Sequence, residues 1–419
     1  RQTWESERGG TAIMVLTRCG QENYDMLIDN VAGFVKGDGM MDPPKDQGHK
    51  TGRSSLALID EEIAILEMIK EAKDAGYFDK FIVLLNTGNT MEVNWLDKYG
   101  VDACVYTGLI GGVGALGTAQ LLAGEANFSG KSVDTYAYDS LSAPAVVNAN
   151  ENSPVYTNGA AVEAAVIGRQ SPFADTGRYF TFQAEGIYVG YKYYETRYED
   201  YVLGQGNADS TAGARSGMNE WNYNNEVSYP FGYGLSYTSF SQTLDDVKYN
   251  AETDKFEATV TVKNTGNVAG KSVIQLYAQT PYGEYERENL VEKSAIQLVG
   301  FDKTDMLEPG EDQTMTVEAE RYLLASYDYT NAKTYILSEG DYYLAIGDDA
   351  HDALNNIICA KQPDAQGLVN VDGTAATGDA DKTYKFTYDT LDDKTYSTTE
   401  TGAEVTNRFD NCDLNYWVE

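Results

Sequence analysis

The chain has 419 residues, room for two domains with sizeable cores, and a formal net charge of -34 at pH 7. A surface this acidic repels phosphate backbones, so nucleic acid is a poor partner, while neutral or weakly charged substrates remain open. No apolar run of about 18 residues occurs, which predicts no membrane span. The 4 cysteines and 2 histidines are too scattered for a structural zinc site.

The first part of the chain alternates apolar strands with helices. The predicted strands are 12–16, 81–86 and 102–107, and the predicted helices are 60–75, roughly 90–99 and 115–124. Short all-apolar runs are typical of parallel strands that are buried on both faces. In the first helix, Ile63, Leu66 and Ile69 recur every three residues, acids fill the first turn and Gly76 ends it. The βαβαβ order predicts a parallel sheet with helices packed on its faces.

Later segments have different patterns. Residues 140–240 are rich in Asn, Ser, Gly and Tyr, and we interpret the aromatic cluster at 187–201 as packing, with sugar stacking as the alternative. From about 241 the pattern has period two, in KFEATVTVKN, KSVIQLYAQT, QTMTVEAE and DYYLAIGD, which predicts an antiparallel β-sandwich. Residues 361–382 are predicted to be a loop, and TYKFTYDT and KTYSTT are predicted to add two strands.

The fold class is therefore α/β followed by all-β. Its predicted parts are an α/β sandwich domain, an aromatic-rich connecting segment packed on that domain, a β-sandwich and a linker, at 1–165, 166–240, 241–400 and 401–419. The chain begins at Arg1 without a start Met or a signal peptide, which predicts a processed or truncated product.

Two loops are candidates for chemistry. TRCGQENYD, at 17–25, follows the first strand and holds one glutamate, Glu22, which is either a solvated loop residue or a proton donor. GLIGGVGALG, at 108–117, contains a literal GxGxxG, but no apolar strand ending in an acid follows it, as dinucleotide binding requires. Its glycines are better explained by a tight strand-to-helix turn and close helix packing.

Several segments resemble the C-terminal half of glycoside hydrolase family 3, the β-glucosidase and β-xylosidase family. They are AIMVLTRCGQENYD, FIVLLNTGNTMEVNW, LLAGEANFSGKSVDT, EGIYVGYKYYETRYED, SYPFGYGLSYTSF and VTVKNTGNVAGKSVIQLY. The resemblance covers nearly the whole chain and implies that the sandwich is fibronectin type III-like. EGDYYLAIGDDAHDALNNI and VTNRFDNCDLNYW are similar to a branch of the family with reversed domain order, in which the catalytic barrel would follow this chain.

The resemblance also implies residue roles. In the family, a barrel Asp in a Ser-Asp-Trp motif is the nucleophile, and a Glu in the loop pattern Arg-x-x-Gly-Glu-x-x-Asp is the general acid/base. The pattern aligns with Arg18, Glu22 and Asp25, which makes Glu22 the acid/base and Arg18 and Asp25 substrate-binding or loop-shaping residues. Two positions depart from the family, Gln21 where glycine is usual and Val113 where an acid is usual. No Ser-Asp-Trp occurs in the sequence.

The implied function is the acid/base-bearing part of a retaining exo-β-glycosidase. Its partners would be a β-linked oligosaccharide or glycoside and a (β/α)8 barrel that supplies the nucleophile, without which the chain is expected to be inactive. The family implies no cofactor and no metal. The alternative is a non-catalytic carbohydrate-binding or structural module. An extracellular or cell-surface location is expected from the acidic, Tyr- and Asn-rich composition, with a cytoplasmic one also compatible; the sugar and the oligomeric state stay open.

Overall fold

The computed structural model describes Trp4, residues 8–18, Ser54, and residues 56–145, 185–204 and 221–407, together with the short paired strands 155–156 and 417–418.

A parallel sheet of three strands, in the order β1-β2-β3, opens the described chain. Strand β1 spans Gly10–Arg18, β2 spans Phe78–Thr87 and β3 spans Ala103–Tyr106. Helix α1, Asp60–Asp74, links β1 to β2, and helix α2, Ala115–Ala123, follows β3. The predicted α/β pattern is thereby confirmed.

The helix predicted at roughly 90–99 is wrong. Residues 94–100 form consecutive turns, in which the Leu96 amide donates to Val93 and the Tyr99 amide donates to Trp95. The apolar side chains of this segment are all buried, at Met91, Val93, Trp95, Leu96 and Tyr99. Burial of so many side chains around one short segment outweighs its helix propensity.

One face of the sheet is covered by α1. Met14 and Leu16 of β1 share a core with Leu66 of the helix. On the opposite face, Ile13 and Val15 are about half exposed to solvent within the described chain. The expectation that β1 is buried on both faces is met on one face only.

The second half of the chain is an antiparallel sandwich. Its sheets run in the orders β11-β8-β7 and β10-β9-β14-β15. Their strands are β7 Phe240–Asn250, β8 Lys255–Asn264, β9 Val273–Gln279, β10 Gln297–Lys303, β11 Asp312–Glu320, β14 Gly340–Gly347 and β15 Thr383–Tyr388. Inward side chains of both sheets form one core, as the period-two pattern predicts.

Smaller elements complete the described chain. Six short strands form three pairs. They are β4 (Tyr136–Ala137) with β6 (Val227–Tyr229), β5 (Val155–Tyr156) with β16 (Trp417–Val418), and β12 (Ser326–Asp328) with β13 (Thr334–Ile336). The remaining helices are α3 Tyr191–Leu203, α4 Tyr223–Glu226, α5 Glu284–Asn289 and α6 Ala350–Lys361. The segment KTYSTT forms no strand, so that prediction is wrong, whereas TYKFTYDT supplies β15.

Helix α3 joins the two halves of the molecule. Its Tyr194 and Tyr198 are buried in a core that also contains Tyr277 of β9 and Leu354 of α6. The aromatic segment therefore packs against the sandwich and its helix, a contact that the sequence did not predict.

Candidate functional site

The carboxyl ends of the parallel strands meet at one edge of the sheet. Arg18, the last residue of β1, lies in register with Thr87, the last residue of β2, and Leu85 of β2 is paired with Tyr106 at the end of β3. This edge is where open α/β sheets bind their ligands. The predicted acid/base loop leaves the sheet here, directly after Arg18.

Arg18 is held by a buried network. Its side chain is 4% exposed, and its two terminal nitrogens donate to both carboxylate oxygens of Glu62, at 2.7 and 2.8 Å. The same nitrogens donate to the carbonyl oxygens of Thr17 and Ala57, each at 2.8 Å. Bidentate, charge-assisted bonds of this kind are the strongest and most directional that an Arg makes.

The Arg18–Glu62 pair connects two distant points of the chain. Glu62 lies in the first turn of α1, where its carboxylate also accepts a hydrogen bond from the Ile59 amide at 3.0 Å. The pair therefore clamps the end of β1 to the start of α1. In the sequence, residues 19–53 lie between these two ends.

A second contact fixes the returning end. The hydroxyls of Ser54 and Ser140 lie 2.6 Å apart, and Ser140 also donates through its amide and its hydroxyl to the Glu92 carboxylate, each at 2.9 Å. Ser54 and Ser140 are both buried. This contact ties the chain before α1 to the segment that follows Tyr136–Ala137, and Ser140 in turn ties that segment to Glu92 in the loop after β2.

The sequence-predicted site residues have different outcomes. Arg18 lies at the sheet edge with Glu62 as its partner, while Gln21, Glu22 and Asp25 lie outside the described residues. Their predicted roles, and a role of Arg18 in substrate binding, stay predictions. The sequence did not predict Glu62, Ser54 and Glu92 as residues that hold the ends of this loop; for Glu62, the acids in the first turn of α1 were a signal of helix stabilisation only.

The glycine turn at 108–117 connects β3 to α2, as expected. Gly114 is the N-cap of α2, and a Cβ there would come within 2.5 Å of the Ile110 carbonyl oxygen. Gly117 has no described atom within 4 Å of a Cβ position, and Val113 is 89% exposed. The tight-turn explanation therefore applies to Gly114, and the helix-packing explanation finds no described contact at Gly117.

Within the described part of the chain, no group of three or more His, Cys, Asp or Glu side chains is placed to hold a metal ion. None of the described helices is long and apolar enough to cross a bilayer.

The fold and edge geometry define an open α/β domain joined to an antiparallel sandwich. Residues 11–237 match the glycosyl hydrolase family 3 C-terminal domain, and residues 272–350 match the fibronectin type III-like domain. The first match spans more than half of the chain, so the chain belongs to glycoside hydrolase family 3. Both the family resemblance and the fold class predicted from the sequence are confirmed.

Individual relatives agree with this family. The chain is 31% identical over 314 residues to a β-glucosidase of Ruminococcus albus, covering 74% of this chain and 26% of the relative. It is 28% identical over 360 residues to β-glucosidase A of Butyrivibrio fibrisolvens, covering 82% and 36%. The crystal structure of a β-glucosidase from Paenibacillus barengoltzii matches with a TM-score of 0.57 and 26% identity, covering 93% and 31%. The chain thus spans between a quarter and two fifths of the length of these relatives.

Proposed function

We propose that this chain is the acid/base-bearing part of a retaining exo-β-glycosidase of the β-glucosidase type. Glu22 is the general acid/base, and a (β/α)8 barrel, in the parent chain or as a second polypeptide, supplies an Asp nucleophile. The proposal draws on the family membership, on the β-glucosidase names of the relatives and on the family pattern at 17–25.

The observation that carries the proposal is the clamp at the sheet edge. A catalytic loop has to hold its carboxyl group within a fraction of an ångström of the productive position, which requires fixed ends. The buried Arg18–Glu62 pair and the Ser54–Ser140 contact supply such ends on both sides of Glu22.

The reaction proceeds in two steps. The barrel carboxylate attacks C1 while the Glu22 carboxyl donates its proton to the leaving glycosidic oxygen, which gives a covalent glycosyl-enzyme and the free alcohol. The Glu22 carboxylate then takes a proton from water as the water oxygen attacks C1, which releases the sugar and regenerates both groups. The chain contributes the proton transfers, and the barrel contributes the bond to C1.

The test compares Glu22→Gln with Glu61→Gln, a matched exposed acid in the first turn of α1. Both are assayed together with the barrel on aryl β-glycosides whose leaving groups differ in acidity. We expect the kcat/KM of Glu22→Gln to fall about 10²–10⁴-fold on a poorly acidic leaving group and much less on a strongly acidic one, because only the former needs a proton in the first step. We expect kcat to fall on both, because the second step needs the Glu22 carboxylate as a base. Wild-type rates with both leaving groups would remove Glu22 from the mechanism.

The same assay separates the alternative, a non-catalytic module that retains the family folds. That function is favoured by Gln21 and by the exposed Val113, both of which depart from the family pattern. If this alternative is correct, the assembled protein does not hydrolyse glucosides, xylosides, galactosides or arabinosides.

Localisation is tested by fractionating cells that express the parent gene, and the proposal favours the extracellular or cell-surface fraction.

A further inference from the structure

A groove lies between one side of helix α3 and neighbouring loops of the sandwich. Its volume is about 1150 Å³, above the roughly 300–1,000 Å³ of pockets for single small molecules. The α3 side supplies Tyr188, Tyr193, Arg197 and Asp200, and the sandwich side supplies the segments after β9 and before β14. Grooves between packed domains are common ligand sites.

Helix α3 divides its aromatic residues between two faces. Tyr194 and Tyr198 are buried in the shared core, which confirms the packing interpretation for them. Tyr193, Arg197 and Asp200 are spaced four and three residues apart, so they form a second stripe, and this stripe faces the groove. Tyr193 also packs against the shared core, and its hydroxyl accepts a hydrogen bond from Arg197 at 2.7 Å. The core and the helix therefore account for part of this stripe and leave the Asp200 carboxylate without such a contact among the described residues.

Asp200 stands out among the groove carboxylates. It is half-buried, and no side-chain hydrogen bond to it occurs within the described chain, whereas the neighbouring Glu199 accepts from Lys361 at 2.7 Å and from Gln279 at 2.9 Å. Burial and the Glu199 charge raise the pKa of Asp200 to about 6, against the opposing effect of Arg197. Water reaches the exposed part of this carboxylate, and a ligand with hydrogen-bond donors can take the place of that water.

The opposite wall offers an aromatic face. Tyr282 is 54% exposed, and the Arg287 guanidinium lies 5.8 Å from its ring centroid. Below it, the Tyr188 hydroxyl donates to the Lys293 carbonyl oxygen at 3.3 Å and bridges the two walls. Tyrosines on both sides give a bound ring apolar faces to contact, together with hydroxyls as hydrogen-bond partners.

The charges of the groove favour a neutral ligand. Its basic residues are Arg197, Arg287, Lys293 and Lys361, and its acidic residues are Glu185, Glu199, Asp200, Glu339 and Asp341. This near balance contrasts with the net charge of -34 of the whole chain. A polyanion or a polycation gains nothing here, while a polyol can use acceptors and donors of both kinds.

We propose that this groove binds a neutral oligosaccharide, with Asp200 accepting hydrogen bonds from two adjacent sugar hydroxyls and with Tyr282 contacting a ring face. The site is separate from the acid/base loop and does not depend on Glu22 being catalytic. Its ligand is longer than one sugar, since the groove exceeds the size of a single-molecule pocket.

The test is calorimetric titration of the whole chain with the pentasaccharides of β-1,4-glucan, β-1,3-glucan and β-1,4-xylan. The informative variants are Asp200→Asn on the α3 wall and Tyr282→Ala on the sandwich wall. The matched controls are Asp364→Asn and Tyr329→Ala, at exposed positions that do not line the groove. Thermal unfolding of every variant shows whether it is folded, and Tyr282→Ala keeps the test decisive if Asp200→Asn fails to fold.

We expect at least one pentasaccharide to bind the wild type, and each groove variant to weaken that binding by about tenfold or more, the effect of losing one charge-assisted bond or one aromatic contact. The controls and Glu22→Gln should bind as the wild type does. No binding by any pentasaccharide, or equal binding by groove and control variants, would overturn the proposal. Loss of turnover in Glu22→Gln with groove binding intact separates this site from the proposed catalytic one.

Discussion

The imidazole of His351 in α6 and the carboxylate of Glu195 in α3 form a fully buried ion pair, with Nδ1 2.8 Å from Oε2. The other ring nitrogen, Nε2, lies 2.8 Å from the carbonyl oxygen of Val369. Both partners are acceptors, so both ring nitrogens donate and the ring is an imidazolium. Tyr223 stacks on that ring at 3.9 Å and donates to the second Glu195 oxygen at 2.6 Å. The cluster bonds the aromatic helix to the helix that follows the sandwich strand β14.

The first prediction is a pH-dependent stability. Burial alone would lower the pKa of His351, but Glu195, Asp349 and the Val369 carbonyl together raise it above 6.5. The folded chain keeps this proton where the unfolded chain has released it. The contribution of His351 to the free energy of unfolding is therefore complete below pH 6.5 and is lost as the pH rises through the raised pKa.

Urea unfolding at a series of pH values above neutrality measures this loss. Burial raises the pKa of Asp349 to about 7, so its carboxyl adds a slope of the same sign below that pH, and burial lowers the pKa of Lys293 to about 8, so its ammonium adds a slope of the opposite sign above that value. The difference between the wild type and Glu195→Gln at each pH therefore isolates the contribution of the His351–Glu195 pair. Glu195→Gln should cost about 3–5 kcal/mol at pH 6 and remove most of the slope, because it leaves a buried cation unpaired. A wild type whose stability does not depend on pH would contradict the prediction.

The second prediction concerns the Arg18–Glu62 clamp. A double-mutant cycle of Arg18→Met and Glu62→Gln should give a coupling of about 1–3 kcal/mol, because the pair is buried and bidentate. The matched control is Lys70 with Asp74, an exposed i,i+4 pair at 2.6 Å, for which about 0.3–0.5 kcal/mol is expected. If Glu22 is catalytic, Glu62→Gln should also lower kcat on poorly acidic leaving groups. Equal coupling energies in the two pairs would show that the Arg18–Glu62 pair is no stronger than an exposed ion pair and does not act as a clamp.

Local patterns predicted the elements better than the contacts between them. The period-two segments became sandwich strands, and the apolar runs became the parallel sheet. Helix α6 was not predicted from the sequence, and its buried positions include the polar residues His351, Asn355 and Asn356, whose burial depends on distant hydrogen-bond partners. Its start was still readable, since Asp349 caps it by accepting from the Asp352 amide at 2.9 Å.

The site was predictable only in part for a related reason. The sequence pattern placed Arg18 at the strand end, but its partner Glu62 lies 44 residues further on. Glu195 and His351 are 156 residues apart. Pairs at such separations arise from the topology, and no local spacing encodes them.

The third prediction is that Asp200→Asn stabilises the fold at neutral pH. Burial and Glu199 raise the pKa of Asp200 to about 6, so ionising it costs free energy above that pH. The contribution of Asp200 to stability accordingly falls as the pH rises from about 4 to 6, and the Asn variant lacks that loss. After allowance for solvent screening of this half-buried group, we expect a gain of about 1 kcal/mol at pH 7, read from thermal unfolding at pH 4 and 7. If Asp200→Asn were less stable than the wild type, the Asp200 carboxylate would be stabilising the fold and would not be kept for a ligand.

The fourth prediction compares the effects on stability of alanine substitutions at two glycines of the segment 108–117. A Cβ at Gly114 would lie 2.5 Å from the Ile110 carbonyl oxygen, a backbone atom that accepts the Gly114 amide at 3.1 Å and has little room to move. Gly114→Ala should therefore destabilise the chain by about 1–3 kcal/mol. Gly117 lies inside α2 with open space around its Cβ position in the described chain, so Gly117→Ala should stabilise it by about 0.5–1 kcal/mol through helix propensity. Urea midpoints of the two variants should move in opposite directions, and a shift of both toward lower urea would mean that Gly117 is needed for a contact beyond the helix.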